Sequence, residues 1–356
     1  MYLRKDDKNR WEIRFYYKDY MGKRHQKHKT GFATKKEALE WADQFLCQQS
    51  HNLDMTFKAF WELYREDMAE RLRENTIRTK DYIVELKILP YFGSKKMVDI
   101  TPGDVRRWQN SLMKQKFSQT YLKTINNQLN AIFNYAVKYY DLPKNPCMVA
   151  GSIGKGKAEE MLFWTQEEFE TFLEFVKDKP LSYYAFKLLF WTGMRIGELL
   201  ALTVGDVDLD RKTITVNKSY QRIKGRDVIT EPKTEKSKRV ISIPDFLVED
   251  MRKYTGMLYG LMKDDRLFSI TKSYLEHEMI RGCKLSGVKK IRLHDLRHSH
   301  ASLLISKLGL QPNLVAARLG HEKIQTTLAT YSHLYPEQNQ DLADQLDELV
   351  SDGEEE

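Results

Sequence analysis

A break near the middle of the chain constrains its fold most strongly. Prolines at 143 and 146 end an apolar, helical region, and a segment rich in glycine and lysine follows at 151–157. Proline does not continue a helix, and glycine-rich segments act as flexible connections. A chain of 356 residues is long enough for two or three domains. We therefore predict separate folding units on the two sides of a linker at 148–160.

The composition is typical of a globular protein with ample apolar residues for a core. No apolar run approaches the roughly 20 residues that span a bilayer, and the first eight residues lack the apolar centre of a secretion signal. Cys47, Cys147 and Cys283 are scattered and form neither a disulfide framework nor a pair of metal ligands. We expect a reducing, cytoplasmic compartment and no membrane partner.

The charges are segregated along the chain. Residues 1–36 contain twelve Lys or Arg and four Asp or Glu, whereas the last twenty residues contain nine acids and no base. The net charge of +8 leaves about +9 for the middle of the chain. Two separate basic regions indicate that a polyanion is bound at more than one place, and nucleic acid is the favoured class. Basic residues that only keep the protein in solution would explain the total, but not the segregation.

Polar and apolar residues alternate from 11 to 18, which is the period of a half-buried strand. Residues 19–22 predict a turn, and residues 23–30 predict a second strand, which is basic. Thr34 and Glu37 have the spacing of a capping box and predict the start of a helix. A small sheet of two or three strands fits the major groove of DNA. The alternative is a basic hairpin that is only solvated. The residues that could contact DNA are Arg14, Tyr16, Lys18, Lys23 and Arg24.

Residues 55–142 have helical periodicity throughout. Aromatic residues recur at helical spacing from 57 to 64, Thr101 caps a helix that starts at Pro102, and a longer helix is predicted at 118–139. The apolar residues form the core of a compact four-helix unit. Basic residues occupy its other faces, an arrangement that suits a clamp on a duplex but is also ordinary in helical proteins. These residues are Arg106, Arg107, Lys114, Lys116 and Lys123.

From residue 161 the pattern is mixed, with helices and strands. Thr165 and Glu168 form a capping box. Thr192-Gly193 interrupts an apolar helix just before Arg195, which places that arginine at a helix N-terminus, where the dipole favours a phosphate. Glu198 is spaced to hold the guanidinium. A surface Arg-Glu pair would have the same pattern.

Two strand-like segments, 213–216 and 239–243, flank a polar region that ends in a basic loop. A lysine in such a loop could reach a bound phosphate and act as a proton donor. Lys233 competes with Lys236 and Lys238 for this role.

A third group of polar residues surrounds one tyrosine near the end of the chain. It reads His294-Asp-Leu-Arg297-His298-Ser-His300, then Leu319-Gly-His321, then Thr330-Tyr331-Ser-His333. A tyrosine hydroxyl is mostly protonated at neutral pH, but guanidinium and imidazole groups around a phosphate would favour its attack. Taken singly, each of these residues is common on ordinary helices.

These motifs together resemble the tyrosine recombinases, in particular the lambda integrase-like enzymes of phages and conjugative transposons. Arg195, Lys233, His294 with Arg297, His321 and Tyr331 occur in the order of that family. The resemblance covers nearly the whole chain and implies a multidomain, mainly α-helical protein. It implies an arm-binding domain with a small β-sheet and a helix at 1–52, a helical core-binding domain at 53–147, a mixed α+β catalytic domain at 161–340 and an acidic tail helix at 341–356.

The resemblance also implies the reaction. Tyr331 attacks a DNA phosphodiester and forms a 3′-phosphotyrosyl bond, while Arg195 and Arg297 hold the non-bridging oxygens. The 5′-hydroxyl of a partner strand then reverses the step. The covalent bond conserves the energy of the broken phosphodiester, so we expect no cofactor, neither ATP nor a metal.

The remaining residues would move protons or bind the phosphate. Lys233 is the general acid in the family, His294 would assist proton transfer from the tyrosine, and His321 would hydrogen-bond the phosphate. His298, His300 and His333 could be taken for metal ligands with His294. No Cys/His array with zinc spacing and no trio of carboxylates accompanies them, so we expect no metal site.

The implied partners are double-stranded DNA, at core and arm attachment sites, and other copies of the chain. The apolar residues of the acidic tail need a partner surface, and the resemblance implies docking on a neighbouring subunit in a tetramer on synapsed DNA. Packing on its own domain is the alternative. An excisionase or a host DNA-bending protein would set direction. Competing functions are a type IB topoisomerase, which needs no arm domain, and a non-catalytic DNA-binding regulator, which leaves the tyrosine and arginines unexplained.

Overall fold

The computed structural model describes residues 1–5, 9–18, 24–49, 53, 55–156, 162–232 and 234–332. By its internal contacts the chain divides into two compact units, residues 1–159 and 160–356. Helices dominate both, with small antiparallel sheets at the N-terminus and in the second unit, so the predicted fold class is confirmed. None of the helices described combines the length and the apolar character needed to cross a bilayer.

The first unit begins with a three-stranded antiparallel sheet and one helix. These are β1 (Tyr2–Lys5), β2 (Trp11–Lys18), β3 (Arg24–Phe32) and α1 (Lys35–Gln49), and β2 is the central strand. The predicted alternation in β2 is confirmed, because Ile13 and Phe15 are buried while Arg14 and Tyr16 are exposed. The cap of α1 is also present, since Thr34 Oγ1 accepts from the Glu37 N–H at 3.1 Å. The predicted turn at 19–22 lies outside the described residues.

A helical group completes the first unit. It consists of α2 (Phe57–Arg71), α3 (Glu74–Ile83), α4 (Leu89–Phe92), α5 (Pro102–Met113), α6 (Gln119–Tyr139) and α7 (Pro146–Ala150). Four of these are long helices, as the sequence predicts, and α4 and α7 are short additions. The predicted start at Thr101 is confirmed by a capping box with Asp104. Apolar side chains from α2, α5 and α6 form the core around Phe57, Trp108 and Phe133.

A π-helical turn at Val84–Ile88 joins α3 to α4. Pro90 has no N–H, so the regular hydrogen bond to the preceding turn is lost there. The Leu89 N–H donates to the Val84 carbonyl, five residues back, and so closes the wider turn. This shift brings both Val84 and Ile88 into the core, where they are fully buried.

The second unit has eight helices and two small sheets among its described residues. The helices are α8 (Gln166–Glu174), α9 (Pro180–Thr192), α10 (Ile196–Ala201), α11 (Asp245–Gly256), α12 (Lys272–Ser286), α13 (Asp295–Ser306), α14 (Pro312–Leu319) and α15 (Ile324–Tyr331). The strands are β4 (Val207–Asp208), β5 (Thr213–Val216), β6 (Ser219–Ile223), β7 (Arg226–Thr230) and β8 (Arg239–Ser242). The sheet order is β4-β5-β8, and β6 pairs with β7.

The two strands predicted in this unit pair with each other, β5 antiparallel to β8. The sequence analysis missed the β6–β7 hairpin, which lies in the region interpreted only as polar. Lys224 and Gly225 form its tip with positive φ values of 49° and 80°, as a two-residue hairpin turn requires. Only Tyr220 and Ile223 of the hairpin are buried hydrophobic residues, so the strand pattern is weak.

The main core of the second unit is aromatic. Phe169 of α8 stacks on Phe190 of α9 with ring centroids 3.9 Å apart. Trp164 packs beside them, and its Nε1–H donates to the Lys289 carbonyl at 2.7 Å while its backbone N–H donates to Ser299 Oγ at 2.9 Å. The bond to Ser299 ties the start of the unit to α13, which carries much of the site described below.

We predict that Phe190→Ala destabilises the second unit by about 3–5 kcal/mol, because it leaves a cavity under the stacked Phe169. Chemical unfolding of the full chain, followed by tryptophan fluorescence, measures the change. Phe175, which is 43% exposed, provides the matched control, and Phe175→Ala should cost about 0.5 kcal/mol or less. Equal losses for the two variants would contradict the core assignment.

Candidate active site

Arg195 lies at the start of α10, directly after the Thr-Gly break. Gly193 ends α9 with a φ of +64°, and a Cβ there would lie 2.5 Å from His300 Cδ2, so a glycine is required. The Arg195 N–H donates to Glu198 Oε2 at 2.8 Å, and its Nη1 donates to Oε1 at 2.7 Å. The Arg195 side chain is still 37% exposed. The guanidinium is therefore anchored by Glu198, as predicted, and remains accessible.

Arg297 comes from the first turns of α13 and is almost completely buried. Its Nη1 donates to the Gly193 carbonyl at 2.8 Å, and its Nη2 donates to the Leu319 carbonyl at 2.6 Å. Neutral carbonyls orient the guanidinium without cancelling its charge. Burial, and then the nearby charge of Arg195, lower the pKa of Arg297. The effect of Arg195 shows that positive charge is concentrated here, which favours an anion in front of the two arginines.

Tyr331, the last residue of α15, lies against α13. Its hydroxyl is hydrogen-bonded to His298 Nδ1 at 2.5 Å, and only 2% of the residue is exposed. Burial raises the pKa of Tyr331, although the charge of Arg297 acts in the opposite direction. Burial also lowers the pKa of His298, so the imidazole is neutral at pH 7. With the ring proton on Nε2, the tyrosine O–H donates to Nδ1, and His298 is placed to accept its proton.

His294 and His321 lie around this pair. The ring of His294 is perpendicular to that of His298, with centroids 5.2 Å apart. The hydrogen bond to Tyr331 is thus made by His298 and not by His294, to which the sequence analysis gave proton transfer. His321 Nδ1 is hydrogen-bonded to the buried Thr327 Oγ1 at 2.8 Å.

Both of these histidines are neutral at pH 7. Partial burial and the neighbouring cationic groups lower the pKa of His294 and of His321 to about 4 each. A neutral imidazole still donates one N–H, so each ring can hydrogen-bond an anion without adding charge.

The lysine of the site stays a prediction. Lys233 lies outside the described residues. Of its two competitors, Lys236 donates to the Glu322 carbonyl at 3.3 Å, and Lys238 forms an ion pair with Glu231 at 3.6 Å. The structure therefore leaves the choice among the three lysines open.

The structure thus brings Arg195, Arg297, His321 and Tyr331 together from four separate segments, with His294 at the edge. Sequence reasoning missed two residues that contact this group. His298 directly follows Arg297, but its contact with Tyr331 depends on how α15 packs on α13 and α14. Arg239 looked like the first residue of an ordinary strand, yet its guanidinium contacts both carboxylate oxygens of Glu198, at 3.2 and 2.9 Å.

The sequence motifs contain two other histidines, His300 and His333. His300 is buried, and its Nε2 accepts a hydrogen bond from Arg318 Nε at 3.0 Å. His333 lies outside the described residues. Within the ranges that the structure describes, no group of three His, Cys, Asp or Glu residues is arranged to hold a metal ion.

The outer face of the N-terminal sheet carries the candidate DNA contacts. Arg14 and Tyr16 are exposed on β2, and the guanidinium of Arg24 on β3 lies 4.1 Å from the centre of the Tyr16 ring. Lys18 ends β2, but its side chain is not among the parts described. Lys23 lies outside the described residues. The side chains that are described form a cationic and aromatic surface, as the sequence predicts.

One carboxylate interrupts this basic face. Glu12 is buried between neighbouring strands, forms an ion pair with Arg4 and is hydrogen-bonded to His28 Nε2 at 3.1 Å. Its pKa is lowered, mainly by the hydrogen bond from Arg4. The carboxylate therefore stays ionised and holds the side chains of Arg4 on β1 and His28 on β3 across β2.

The site combines a buried tyrosine with a histidine and two guanidinium groups, and the N-terminal sheet has a cationic and aromatic face that suits DNA. Together these features are typical of enzymes that break and rejoin DNA strands. Sequence comparison agrees with this class. Residues 163–338 match the phage integrase family, residues 56–113 match its N-terminal SAM-like domain, and residues 2–49 match an arm DNA-binding domain.

Individual relatives and structures are similar over most of the chain. The ICEBs1 integrase of Bacillus subtilis (strain 168) is 30% identical over 337 residues, which cover 89% of this chain and 91% of that protein. The integrase of Staphylococcus phage L54a is 27% identical and covers 67% of this chain and 82% of its own length. A Tn1549 transposon integrase in complex with circular intermediate DNA superposes with a TM-score of 0.67 at 23% identity, over 83% of this chain and 99% of that one. A lambda integrase tetramer bound to a Holliday junction has a TM-score of 0.59 at 16% identity and covers 95% of each chain.

The chain belongs to the phage integrase family. It is a tyrosine site-specific recombinase, as the order of its motifs predicts.

We predict that the second unit loses stability as the pH falls from about 6.5, the ordinary pKa of histidine, towards 3. Burial, with Arg318 and Arg297 nearby, lowers the pKa of His300 to about 3. In that window the unfolded chain takes up a proton and the folded chain does not, so the loss approaches 1.4 kcal/mol per pH unit. His300→Gln keeps an acceptor for Arg318 but removes the titration, and should make the pH dependence shallower.

Urea unfolding at pH 7 and pH 5 measures this difference. The same substitution at the exposed His277 controls for the removal of a histidine as such. A slope that His300→Gln leaves unchanged would show that this ring does not titrate in the expected window.

Proposed function

We propose that this recombinase integrates and excises a mobile element by cutting and rejoining DNA through Tyr331. The observation that carries the proposal is the 2.5 Å hydrogen bond between the Tyr331 hydroxyl and His298 Nδ1, beside the buried charge of Arg297. A nucleophile, a proton acceptor and an anion-binding group are thereby contiguous. An ordinary core tyrosine needs only a single hydrogen-bond partner and no cationic neighbour.

In the first step the Tyr331 oxygen bonds to the phosphorus of a DNA phosphodiester, and the bond from phosphorus to the 5′-oxygen breaks. The phenolic proton passes to His298 Nδ1, and the leaving 5′-oxygen takes up a proton from a general acid. A 3′-phosphotyrosyl bond and a free 5′-hydroxyl result. Because the pKa of Tyr331 is raised, deprotonation accompanies the attack and does not precede it.

Arg195 and Arg297 have the geometry for the phosphate. Charge grows on the non-bridging oxygens in the transition state, and preorganised donors stabilise that charge without rearranging. The Arg297 guanidinium is fixed by two carbonyls and that of Arg195 by a carboxylate, so both are oriented before DNA binds. The exposed side of Arg195 supports its contact with the scissile phosphate.

We propose Lys233 as the general acid for the 5′-oxygen. The support is its motif and its place in the connection between β7 and β8, from which Lys236 reaches the loop after His321. His321 would donate its free ring N–H to a phosphate oxygen, since Thr327 holds the other nitrogen. His294, packed against His298, would support proton transfer one step away from the tyrosine.

The burial of Tyr331 implies a movement during the reaction. With 2% of the residue exposed, a DNA phosphate cannot reach the hydroxyl unless α15 shifts. This helix has eight residues and only two of them are buried, Thr327 and Tyr331. Because the apolar contact area of α15 is small, its displacement by DNA costs little free energy.

We propose that DNA is held at two kinds of site. The outer face of the N-terminal sheet, with Arg14, Tyr16 and Arg24, would bind arm sites, and Lys18 and Lys23 would extend it. The helical group would clamp the core site. The domain limits proposed are 1–52, 53–147, 161–340 and a tail at 341–356, with a linker at 148–160. The matches to an arm DNA-binding domain and to a SAM-like domain support this division.

The active assembly that we propose is a tetramer on two DNA sites, in the bacterial cytoplasm. The solved lambda integrase tetramer on a Holliday junction and the bacterial and phage relatives support it. The tail, which lies outside the described residues, would dock on a neighbouring subunit. No ATP or metal enters the proposed chemistry, and an excisionase or a host bending protein would set its direction.

A type IB topoisomerase would use the same chemistry at its tyrosine. It would have no use for an arm DNA-binding domain, and the match over residues 2–49 therefore favours the recombinase.

We predict that Tyr331→Phe abolishes the covalent DNA adduct while DNA binding changes by about twofold or less, because one oxygen is removed without a change of shape. A nicked suicide substrate traps the adduct, which a denaturing gel detects. Tyr335→Phe is the matched control and should form the adduct normally. Loss of the adduct only in the Tyr335 variant would place the nucleophile there.

We also predict that deleting residues from Asp341 onwards leaves DNA binding and cleavage intact but reduces strand exchange between two sites, because the apolar residues of the tail are removed. Recombination of two plasmid-borne sites and gel-shift assays separate the two steps. If the truncated protein recombines as fast as the full chain, the tail has no role in assembly.

A further inference from the structure

Arg239 is a buried cation that the proposed chemistry does not use. It is the first residue of β8, and its side chain is only 7% exposed. Its Nη1 and Nη2 donate to the two oxygens of Glu198 at 3.2 and 2.9 Å. Its Nε donates to the Arg318 carbonyl at 3.0 Å, and its Nη1 also contacts the Ser237 carbonyl at 3.2 Å. These partners and its burial exclude a direct contact with DNA in this arrangement.

Glu198 is shared by two guanidinium groups. It accepts from Arg195 Nη1 at 2.7 Å, from the Arg195 N–H at 2.8 Å and from the fork of Arg239. The carboxylate is 4% exposed and must be ionised and paired, since an isolated buried charge is strongly unfavourable. Two guanidinium groups and one carboxylate carry a net charge of +1.

The exposed fractions of the two arginine side chains show which of them carries the net positive charge. Arg239 is enclosed and makes a bidentate pair with Glu198, whereas Arg195 is 37% exposed and faces the site. Arg239 therefore neutralises the carboxylate, and Arg195 keeps its charge for a phosphate. Without Arg239, the same carboxylate would bind Arg195 alone and cancel that charge.

Arg239 also contacts the segments on either side of the site. The Arg318 carbonyl is three residues before His321, and a Cβ on Gly320 would lie 3.1 Å from Arg239 Cδ and Nη1. Ser237 follows Lys233 in the β7–β8 connection. A single side chain thus joins the segments that carry Arg195, the candidate lysine and His321.

We propose that Arg239 is a positioning residue for DNA cleavage: it holds the charge of Glu198, so that Arg195 remains available to the scissile phosphate. This inference rests on the role proposed above for Arg195. The motif residues alone do not include this requirement, which is that a second cation, Arg239, pairs with the carboxylate that holds Arg195.

The test uses full-length protein and a nicked suicide substrate in single-turnover reactions. We expect Arg239→Met to slow adduct formation by about 10- to 100-fold, below the loss typical of a direct donor to the transition state, with core-site binding changed by about twofold or less. Arg239→Lys, which keeps the charge, should recover part of the rate. Arg252→Met is the control, because Arg252 is a 58% exposed arginine with an exposed partner, Asp210, and its loss should have no effect.

The decisive variant is the double substitution Arg239→Met with Glu198→Gln. Removing the carboxylate removes the need to neutralise it, so the double variant should cleave about tenfold faster than Arg239→Met alone. A double variant as slow as Arg239→Met, or slower, overturns the proposal. A role in folding alone is tested by urea unfolding of the same variants: it would change the free energy of unfolding while the cleavage rate per folded molecule stays that of the wild-type protein. Unchanged cleavage by Arg239→Met also overturns the proposal.

Arg195→Met separates this inference from the proposed function. If Arg195→Met cleaves like the wild-type protein, the phosphate role of Arg195 fails and the proposal about Arg239 fails with it. If Arg195→Met is inactive while the double substitution gives no recovery, the proposed function stands and only the inference about Arg239 is wrong.

Discussion

The arrangement of the site depends on one buried carboxylate between two guanidinium groups. Glu198 would be unfavourable in the interior without cationic partners, and burial alone would raise its pKa. The hydrogen bonds and charge of Arg239, with those of Arg195, outweigh burial and lower it. The ion network therefore requires α10, β8 and the end of α14 to meet at one point. The small β-sheets of a mainly helical unit bring Arg239 to that point.

Around this network the titratable groups are kept in their neutral forms. His298, His294 and His321 have lowered pKa values, and Tyr331 has a raised one, chiefly through burial. The positive charge near the nucleophile is therefore that of arginine, which stays ionised at any physiological pH. A bound phosphate would meet fixed positive charge together with neutral proton donors and acceptors. Such a site separates charge stabilisation from proton transfer, because different residue types perform the two tasks.

Much of this could be predicted from the sequence, because the relevant signals are local. The alternation in β2, the caps at Thr101 and Thr165, and the glycine break before Arg195 each follow from spacing along a few residues. The β6–β7 hairpin was missed because its apolar pattern is short. The contacts of His298 and Arg239 depend on segments 33 and 41 residues apart in the chain. No spacing rule connects positions at such separations, so only the packed structure shows that they meet.

The two faces of β2 differ in how freely their residues can change during evolution. Ile13 and Phe15 hold the N-terminal sheet to α1, whereas Arg14 and Tyr16 contribute nothing to that core. The outward positions can therefore be exchanged without refolding the sheet, and the catalytic residues belong to the other compact unit. With the arm-site role proposed for this surface, a lineage of mobile elements would acquire new attachment sequences through substitutions there, while the machinery of strand breakage is inherited unchanged.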